Sequence, residues 1–176
     1  MNTHKILISG FGGQGVILLG QIIAHAGMVE DKEVIWMPSY GPEMRGGTAH
    51  CTVIVSDKKI ASPVITEATA VVAMNRPSLA KFQDLVAPEG HLFINTSLIK
   101  EKSTRNDVQI HDVECSELAA VVGSDKTINM IMLGAIVRKT NVVSQESVEK
   151  AMDKLFTGPK AIMLPLNKKA INMWGS

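Results

Sequence analysis

A glycine-rich segment near the start of the chain has the residue types that hold a phosphate group. Its residues are Gly10, Phe11, Gly12, Gly13, Gln14 and Gly15. Glycines let the backbone turn tightly, and at the start of a helix the exposed N–H groups favour an anion. An apolar run, residues 6–8, precedes the segment and Val16 follows it, which predicts a strand, a turn and a helix. The segment is therefore either a phosphate-binding loop or a tight turn that only allows close helix–strand packing.

The residues after the second predicted strand argue against a nicotinamide site. Such a site needs an acidic residue at the end of that strand, where it binds the ribose hydroxyls. The strand predicted over residues 33–37 runs into Pro38 and Ser39, and the nearby acidic residues lie before it or at its start. No Gly-Lys-Ser or Gly-Lys-Thr follows the glycines, which excludes a P-loop. An ordinary NAD-dependent dehydrogenase is disfavoured, whereas a standalone dinucleotide-binding protein stays an alternative.

A second segment, residues 40–47, combines turn residues with groups that could contact an anion. It reads Tyr40-Gly41-Pro42-Glu43-Met44-Arg45-Gly46-Gly47. Arg45 offers a planar fork for a carboxylate or a phosphate, and Glu43 could pair with it or act as a base. A loop that follows the second strand lies at the same edge as the first loop, where open α/β sheets bind ligands. We predict a shared site there, with a self-contained Glu43–Arg45 pair as the alternative.

The other polar residues give weaker signals. Asn129 interrupts an apolar helix, either as a capping or buried hydrogen-bonding group or as a ligand contact near the carboxyl edge of the sheet. Cys51 and Cys115 are far apart and form no C-x-x-C, so a four-cysteine iron–sulfur cluster or cysteine-rich zinc site is excluded. His25 and His111 are expected at element surfaces, without partners at metal-ligand spacing. No metal site is predicted in this chain.

Composition narrows the class of protein. The 18 Lys and Arg residues nearly balance the 17 Asp and Glu residues, and aromatic residues make up 4% of the chain, so nucleic-acid and membrane partners are disfavoured. No apolar run approaches the ~20 residues of a membrane span, and the glycine turn interrupts any signal-like run. We expect one cytoplasmic domain over residues 1–176. The mean hydropathy of +0.15 indicates contacts with other chains, and self-association of the isolated chain is left open.

The predicted elements form an α/β fold, with a Rossmann-like, mostly parallel sheet flanked by helices and a helical C-terminal third. Gly27 is expected to end the first helix. Residues 48–56 and 60–63 are expected to form an edge hairpin, because Pro63 suits an edge strand. Asn75 is expected to cap a helix whose apolar face includes Val86. Further strands are predicted over residues 70–74, 91–95 and 108–113, and further helices over residues 116–122, 128–139, 144–156 and 165–174.

The two glycine-bearing segments, together with residues later in the chain, resemble the gamma subunit of 2-oxoacid:ferredoxin (acceptor) oxidoreductases. Residues 40–47 are the specific part of this resemblance, and the ordered matches run from residue 6 to about residue 167. The pattern is most similar to the 2-oxoglutarate branch, with the pyruvate and branched-chain enzymes close behind. The later matching residues are Ser56, Asp57, Ile60, Ser62, Pro63, Asn75, Arg76, Pro77, Ser78, Leu79, Gly90, Asn95, Asn129, Met130, Met132, Leu133, Gly134 and Ala135.

The resemblance implies a multi-subunit enzyme that oxidatively decarboxylates a 2-oxoacid, forms an acyl-CoA and reduces ferredoxin. It implies thiamine diphosphate and magnesium between alpha and beta subunits, and iron–sulfur clusters on the beta and ferredoxin-like subunits. This chain would be inactive alone, and a purely structural role in the complex stays an alternative. Glu43 and Arg45 would serve catalysis or a substrate anion at the interface. The residues expected to contact coenzyme A are Gly10, Gly12, Gly13, Gln14, Gly15, Tyr40 and Asn129.

Overall fold

The computed structural model describes residues 3–39 and 48–175. In this part of the chain, one sheet has the strand order β2-β3-β1-β4-β5-β6, and helices cover both of its faces. The strands are β1 (Thr3–Phe11), β2 (Glu33–Ser39), β3 (Thr48–Ser56), β4 (Ala68–Ala73), β5 (Val86–Asn95) and β6 (Gln109–Val113). The helices are α1 (Val16–Val29), α2 (Arg76–Phe82), α3 (Cys115–Val122), α4 (Ile128–Thr140), α5 (Gln145–Leu155) and α6 (Leu164–Ala170). The predicted α/β class is confirmed.

Strand β3 runs opposite to the other strands and lies inside the sheet, where it pairs with both β1 and β2. The predicted pairing of residues 48–56 with residues 60–63 is wrong, because residues 57–67 form no strand. The antiparallel pair at this edge is β2 with β3. Consecutive residues 53–55 of β3 are buried, which requires cover on both faces and favours an interior position. Pro38 instead lies on the edge strand β2, where a missing N–H is tolerated.

Helix α1 packs closely on the sheet through small residues. A Cβ atom at Gly27 would lie 2.8 Å from Cγ2 of Val34, so only glycine allows this approach without a shift. The prediction that Gly27 ends the helix is wrong, because α1 continues to Val29 and the chain reverses at Asp31, which has a φ of 55°. The glycine therefore serves helix–sheet packing and not the turn.

The chain changes sheet face between β1 and its parallel neighbour β4. Helix α1, which follows β1, packs on the face that also carries α3 to α6, whereas α2, which follows β4, packs on the other face. The predicted cap is confirmed, since Oδ1 of Asn75 accepts a hydrogen bond of 2.9 Å from the backbone N–H of Ser78. Val86 belongs to β5 and not to this helix. A change of face at neighbouring parallel strands opens a crevice at their carboxyl ends.

A histidine pair joins β5 to β6. Nδ1 of His91 lies 2.9 Å from Nε2 of His111, and the indole of Trp174 contacts the His111 ring edge-on. The expectation that His111 lies at the surface is wrong, since 9% of it is exposed. Burial lowers the pKa of His91, and burial with the nearby His91 and Lys139 lowers the pKa of His111 to about 4.

We expect the free energy of unfolding to fall as the pH drops from about 6.5 toward 4. An unfolded histidine takes up a proton near pH 6.5, whereas these folded histidines resist protonation, so the unfolded state binds more protons in this window. His4, whose pKa burial also lowers, contributes in the same direction. Urea denaturation at several pH values measures this. His111→Gln should reduce the slope, and His25→Gln, which removes a histidine outside the pair, should keep it. Equal slopes in both variants would contradict the assignment.

Candidate functional site

The glycine loop, residues 10–15, joins the end of β1 to the start of α1 at the crevice. Gly13 has a φ of 91° and Gly15 has a φ of 73°, a backbone region that favours glycine. A Cβ atom at Gly10 would lie 2.9 Å from Cβ of Met74, whereas one at Gly13 would have no neighbour within 4 Å. Gly10 therefore serves packing between strand ends, and Gly13 faces open space.

The side chain of Gln14 is bound at both ends of its amide. Its Oε1 atom accepts a 2.6 Å hydrogen bond from the backbone N–H of Phe11. Its Nε2 atom donates a 3.3 Å hydrogen bond to the carbonyl oxygen of Met74, directly after β4. Gln14 thus links the end of β1 to the end of β4.

Asn129, in the first turn of α4, lies beside the glycine loop. Its Nδ2 atom donates a hydrogen bond of 3.4 Å to the carbonyl oxygen of Gly15, and 7% of the residue is exposed. The structure therefore places Asn129 at the predicted edge of the sheet and gives it a hydrogen-bonding role there. Its contact with a ligand stays a prediction.

Open clefts lie on both sides of the glycine loop. One, of about 370 Å³, is lined by Phe11, the outward-facing glycines and Lys160, and the other, of about 290 Å³, by Gln14, Leu98, Lys126 and Asn129. Sequence reasoning missed Lys126 and Lys160, because no local pattern connects these lysines with the glycines. Phe11 is 43% exposed and Leu98 is 53% exposed, so the rims of the clefts are partly apolar. The arrangement combines backbone donors, two lysines, one carboxylate (Asp125, beside Lys126) and apolar rims.

Buried amide atoms without partners lie at the neighbouring strand ends. Nδ2 of Asn75 and Oδ1 of Asn95 have no hydrogen-bond partner within the described part of the chain, although the two residues are 2% and 0% exposed. Asn95 does donate from Nδ2 to the carbonyl oxygen of Met74, at 3.3 Å. Buried polar atoms are nearly always paired, so these exceptions draw attention to this edge.

The predicted site residues Tyr40, Glu43 and Arg45 lie outside the described residues. The strands on either side fix where their segment begins and ends. Ser39 pairs with His50 at the end of β2, and Thr48 pairs with Phe11, the last residue of β1. Ser39 and Thr48, the described residues on either side, therefore lie at the edge that carries the glycine loop.

The described residues offer neither a membrane span nor a metal cluster. No helix in residues 3–39 and 48–175 combines the length and the apolar character needed to cross a bilayer. Over these residues, no three His, Cys, Asp or Glu side chains come together in a way that could hold a metal ion. The described side chains that surround the loop are amides, two lysines, the carboxylate of Asp125 and apolar groups. With the backbone donors of the turn, the lysines and amides suit a phosphate-bearing organic ligand better than a metal ion.

Comparisons with known proteins agree on one family. The family model described as "Pyruvate ferredoxin/flavodoxin oxidoreductase" matches residues 5–173. The 2-oxoglutarate synthase subunit KorC of Methanocaldococcus jannaschii is 35% identical over 151 residues, which cover 84% of this chain and 81% of that protein. The ketoisovalerate oxidoreductase subunit VorA of Methanothermobacter thermautotrophicus is 33% identical over 160 residues, which cover 90% of this chain. The chain spans only 33% of the length of that VorA protein.

A solved structure extends the comparison to three dimensions. The crystal structure of the gamma subunit of a keto/oxoacid ferredoxin oxidoreductase from Geobacter sulfurreducens superposes with a TM-score of 0.81 at 34% sequence identity. The match covers 97% of this chain and 95% of that one. The two chains therefore share one fold over nearly their whole length.

Proposed function

The chain belongs to the pyruvate ferredoxin/flavodoxin oxidoreductase family as a gamma subunit, and we propose that its glycine loop binds the phosphates of coenzyme A. The observation that carries this proposal is the open, left-handed turn at Gly13 at the start of α1, with cationic side chains on both sides. The loop lies at the carboxyl edge of the sheet, next to the change of face, where α/β folds bind ligands.

The described residues fit a diphosphate group. The backbone N–H groups of the first turn of α1 precede the first helical hydrogen bond, from Leu19 to the carbonyl oxygen of Gly15, so they can face an anion. Lys160 and Lys126 line the clefts on the two sides of the loop. A negatively charged phosphate is attracted both by the positive N-terminal end of the helix and by the lysines. A ribose-binding acid is not needed for this ligand, in agreement with the sequence after β2.

In the proposed complex, the chain completes an enzyme that oxidatively decarboxylates a 2-oxoacid, transfers the acyl group to coenzyme A and reduces ferredoxin. Its partners are thiamine-binding alpha and beta subunits and a ferredoxin-like subunit, and the isolated chain has no activity. Thiamine diphosphate with magnesium, held on the partner chains, supplies the decarboxylation chemistry. The KorC relative favours 2-oxoglutarate as the substrate. Tyr40, Glu43 and Arg45 would contact coenzyme A or a substrate anion at the interface.

Coenzyme A titration of the assembled complex tests the loop assignment. Gly13→Val places a branched side chain in the open space of the turn, and we expect the dissociation constant of coenzyme A to rise by about tenfold or more. The matched control is Gly123→Val, because Gly123 also has a left-handed φ, of 101°, and open space around it, but ends α3. Arg45→Ala should lower the turnover of the complex.

Distinct outcomes separate the alternatives. Unchanged coenzyme A affinity in Gly13→Val together with unchanged turnover in Arg45→Ala would contradict the site assignment. A complex that dissociates in Gly13→Val while any intact fraction binds coenzyme A normally would support a purely structural subunit. Saturable binding of NAD(H) or NADP(H) by the isolated chain would support a standalone dinucleotide-binding protein.

A further inference from the structure

Amide side chains from three separate parts of the chain hold the glycine loop in place. The carbonyl oxygen of Met74 accepts hydrogen bonds from Nε2 of Gln14 and from Nδ2 of Asn95, both at 3.3 Å. Gln14 in turn accepts the N–H of Phe11 at 2.6 Å. On the far side of the loop, Asn129 donates to the carbonyl oxygen of Gly15. We call Gln14, Asn95 and Asn129 the amide brace.

The brace runs across the carboxyl ends of three neighbouring strands. Asn95 ends β5, Met74 follows β4, and Phe11 ends β1. The hydrogen bonds from Asn95 to Met74, from Gln14 to Met74 and from Phe11 to Gln14 therefore connect these three strand ends to the loop. Asn95 is 0% exposed, and its hydrogen bond to the Met74 carbonyl restrains the buried side chain. A loop whose donors are already fixed loses less conformational entropy when a ligand binds, and its affinity is correspondingly higher.

We propose that Asn95 is a positioning residue for the coenzyme A site. It acts through the Met74 carbonyl and Gln14 on the turn at Gly12 and Gly13. This inference rests on the proposed function of the loop. In it, Gln14 acts on the backbone of the loop and does not contact the ligand. The brace keeps both ends of the turn fixed, while the turn itself stays open to the ligand.

The stability of an Asn95 variant distinguishes a positioning role from a merely structural one. Oδ1 of Asn95 is buried without a partner among the described residues, and burying such an atom opposes folding. Leucine has a volume similar to that of asparagine, so Asn95→Leu removes an oxygen that has no partner among the described residues. It also removes one of the two hydrogen bonds to the Met74 carbonyl and leaves the one from Gln14. A residue needed only for the fold would lose stability on replacement. We expect Asn95→Leu to keep the stability of the chain and yet to weaken coenzyme A binding.

The test uses the assembled complex with coenzyme A as the titrant. Asn95→Leu and Gln14→Met should each raise the dissociation constant by about fivefold, as for one lost hydrogen bond of ordinary strength. The KM for coenzyme A should rise with kcat unchanged, and the double variant should resemble Gln14→Met alone, because both residues act through the same contact. Hydrogen exchange of the Phe11 amide should accelerate in both variants. The control Gln145→Met removes an exposed glutamine on α5 and should change none of these values.

Three outcomes would overturn the proposal. One is an unchanged dissociation constant in both brace variants. The second is strictly additive effects of the two substitutions in the double variant. The third is an unchanged exchange rate of the Phe11 amide in Gln14→Met. Because Gln14 is partly exposed, the Gln14→Met variant still tests the proposal if Asn95→Leu misfolds. If Gly13→Val leaves coenzyme A binding intact, the proposed function fails instead. The exchange of the Phe11 amide still reports on the brace in that case.

Discussion

Replacing Gly15 by alanine is expected to lower the free energy of unfolding by about 2–4 kcal/mol and to weaken coenzyme A binding at least tenfold. The φ of 73° at Gly15 is unfavourable for any residue with a Cβ atom. In addition, that Cβ atom would lie 2.3 Å from Nδ2 of Asn129, so the asparagine has to move and its hydrogen bond to the loop is lost. The substitution therefore strains the backbone of the loop and also removes the hydrogen bond from Asn129 that supports it.

Urea denaturation and coenzyme A titration measure the two effects. Gly13→Ala is the matched control for the stability measurement, since Gly13 also has a left-handed φ but no atom within 4 Å of its Cβ position. It should lose only the conformational part, about 1–2 kcal/mol. The double variant Gly15→Ala with Asn129→Ala should lose less free energy of unfolding than the two single variants lose together, because the obstructing side chain is gone. Equal stability of Gly15→Ala and Gly13→Ala would rule out the collision as the cause.

Replacing Gly134 by alanine is expected to destabilise the chain by about 3 kcal/mol, the upper range for overpacking a well-filled core. A Cβ atom at Gly134 would lie 2.0 Å from the carbonyl oxygen of Ile171 and 2.7 Å from its carbonyl carbon. Both are backbone atoms, which cannot rotate away, so the end of α6 must move off α4. The indole N–H of Trp174, which donates to the carbonyl oxygen of Asp112 at 3.0 Å, lies just beyond and would be displaced.

Thermal and urea denaturation measure this loss, and Gly27→Ala is the control. Gly27 also lies within a helix, but its new Cβ would meet side-chain carbons of Val34 and Val55, which can shift. The helix-propensity gain of alanine over glycine, about 1 kcal/mol, offsets part of the cost in both variants. The loss should therefore be clearly larger for Gly134→Ala. Similar losses in the two variants would show that the backbone contact with Ile171 is not the cause.

Local patterns were enough to predict the parts of the fold that depend on neighbours in sequence. The run from β1 through the glycine loop into α1, and the Asn75 cap of α2, each rest on one short stretch of consecutive residues whose preferences agree. The place of β3 between β1 and β2 depends on pairing between distant segments, which the sequence does not display. Gly27 has the residue type of a helix terminator, but packing against the sheet determines its role.

The candidate site divides in the same way. The glycines and Asn129 were found from residue type and position, and the structure brings them together. The contacts of Gln14 with Met74, and of Met74 with Asn95, join strand ends that are far apart in the chain. No spacing rule connects them. They become visible only when the order of β1, β4 and β5 is known.

The reversed direction of β3 has a consequence for how this protein family can vary. A crossover between parallel strands would carry the chain to the opposite edge, and any insertion there would lie far from the glycine loop. Here Ser39 and Thr48 lie at the same edge of the sheet, the edge that carries the glycine loop. A residue inserted between Ser39 and Thr48 would leave the register between β2, β3 and β1 unchanged. The sheet can therefore stay constant while members of the family differ at this one edge.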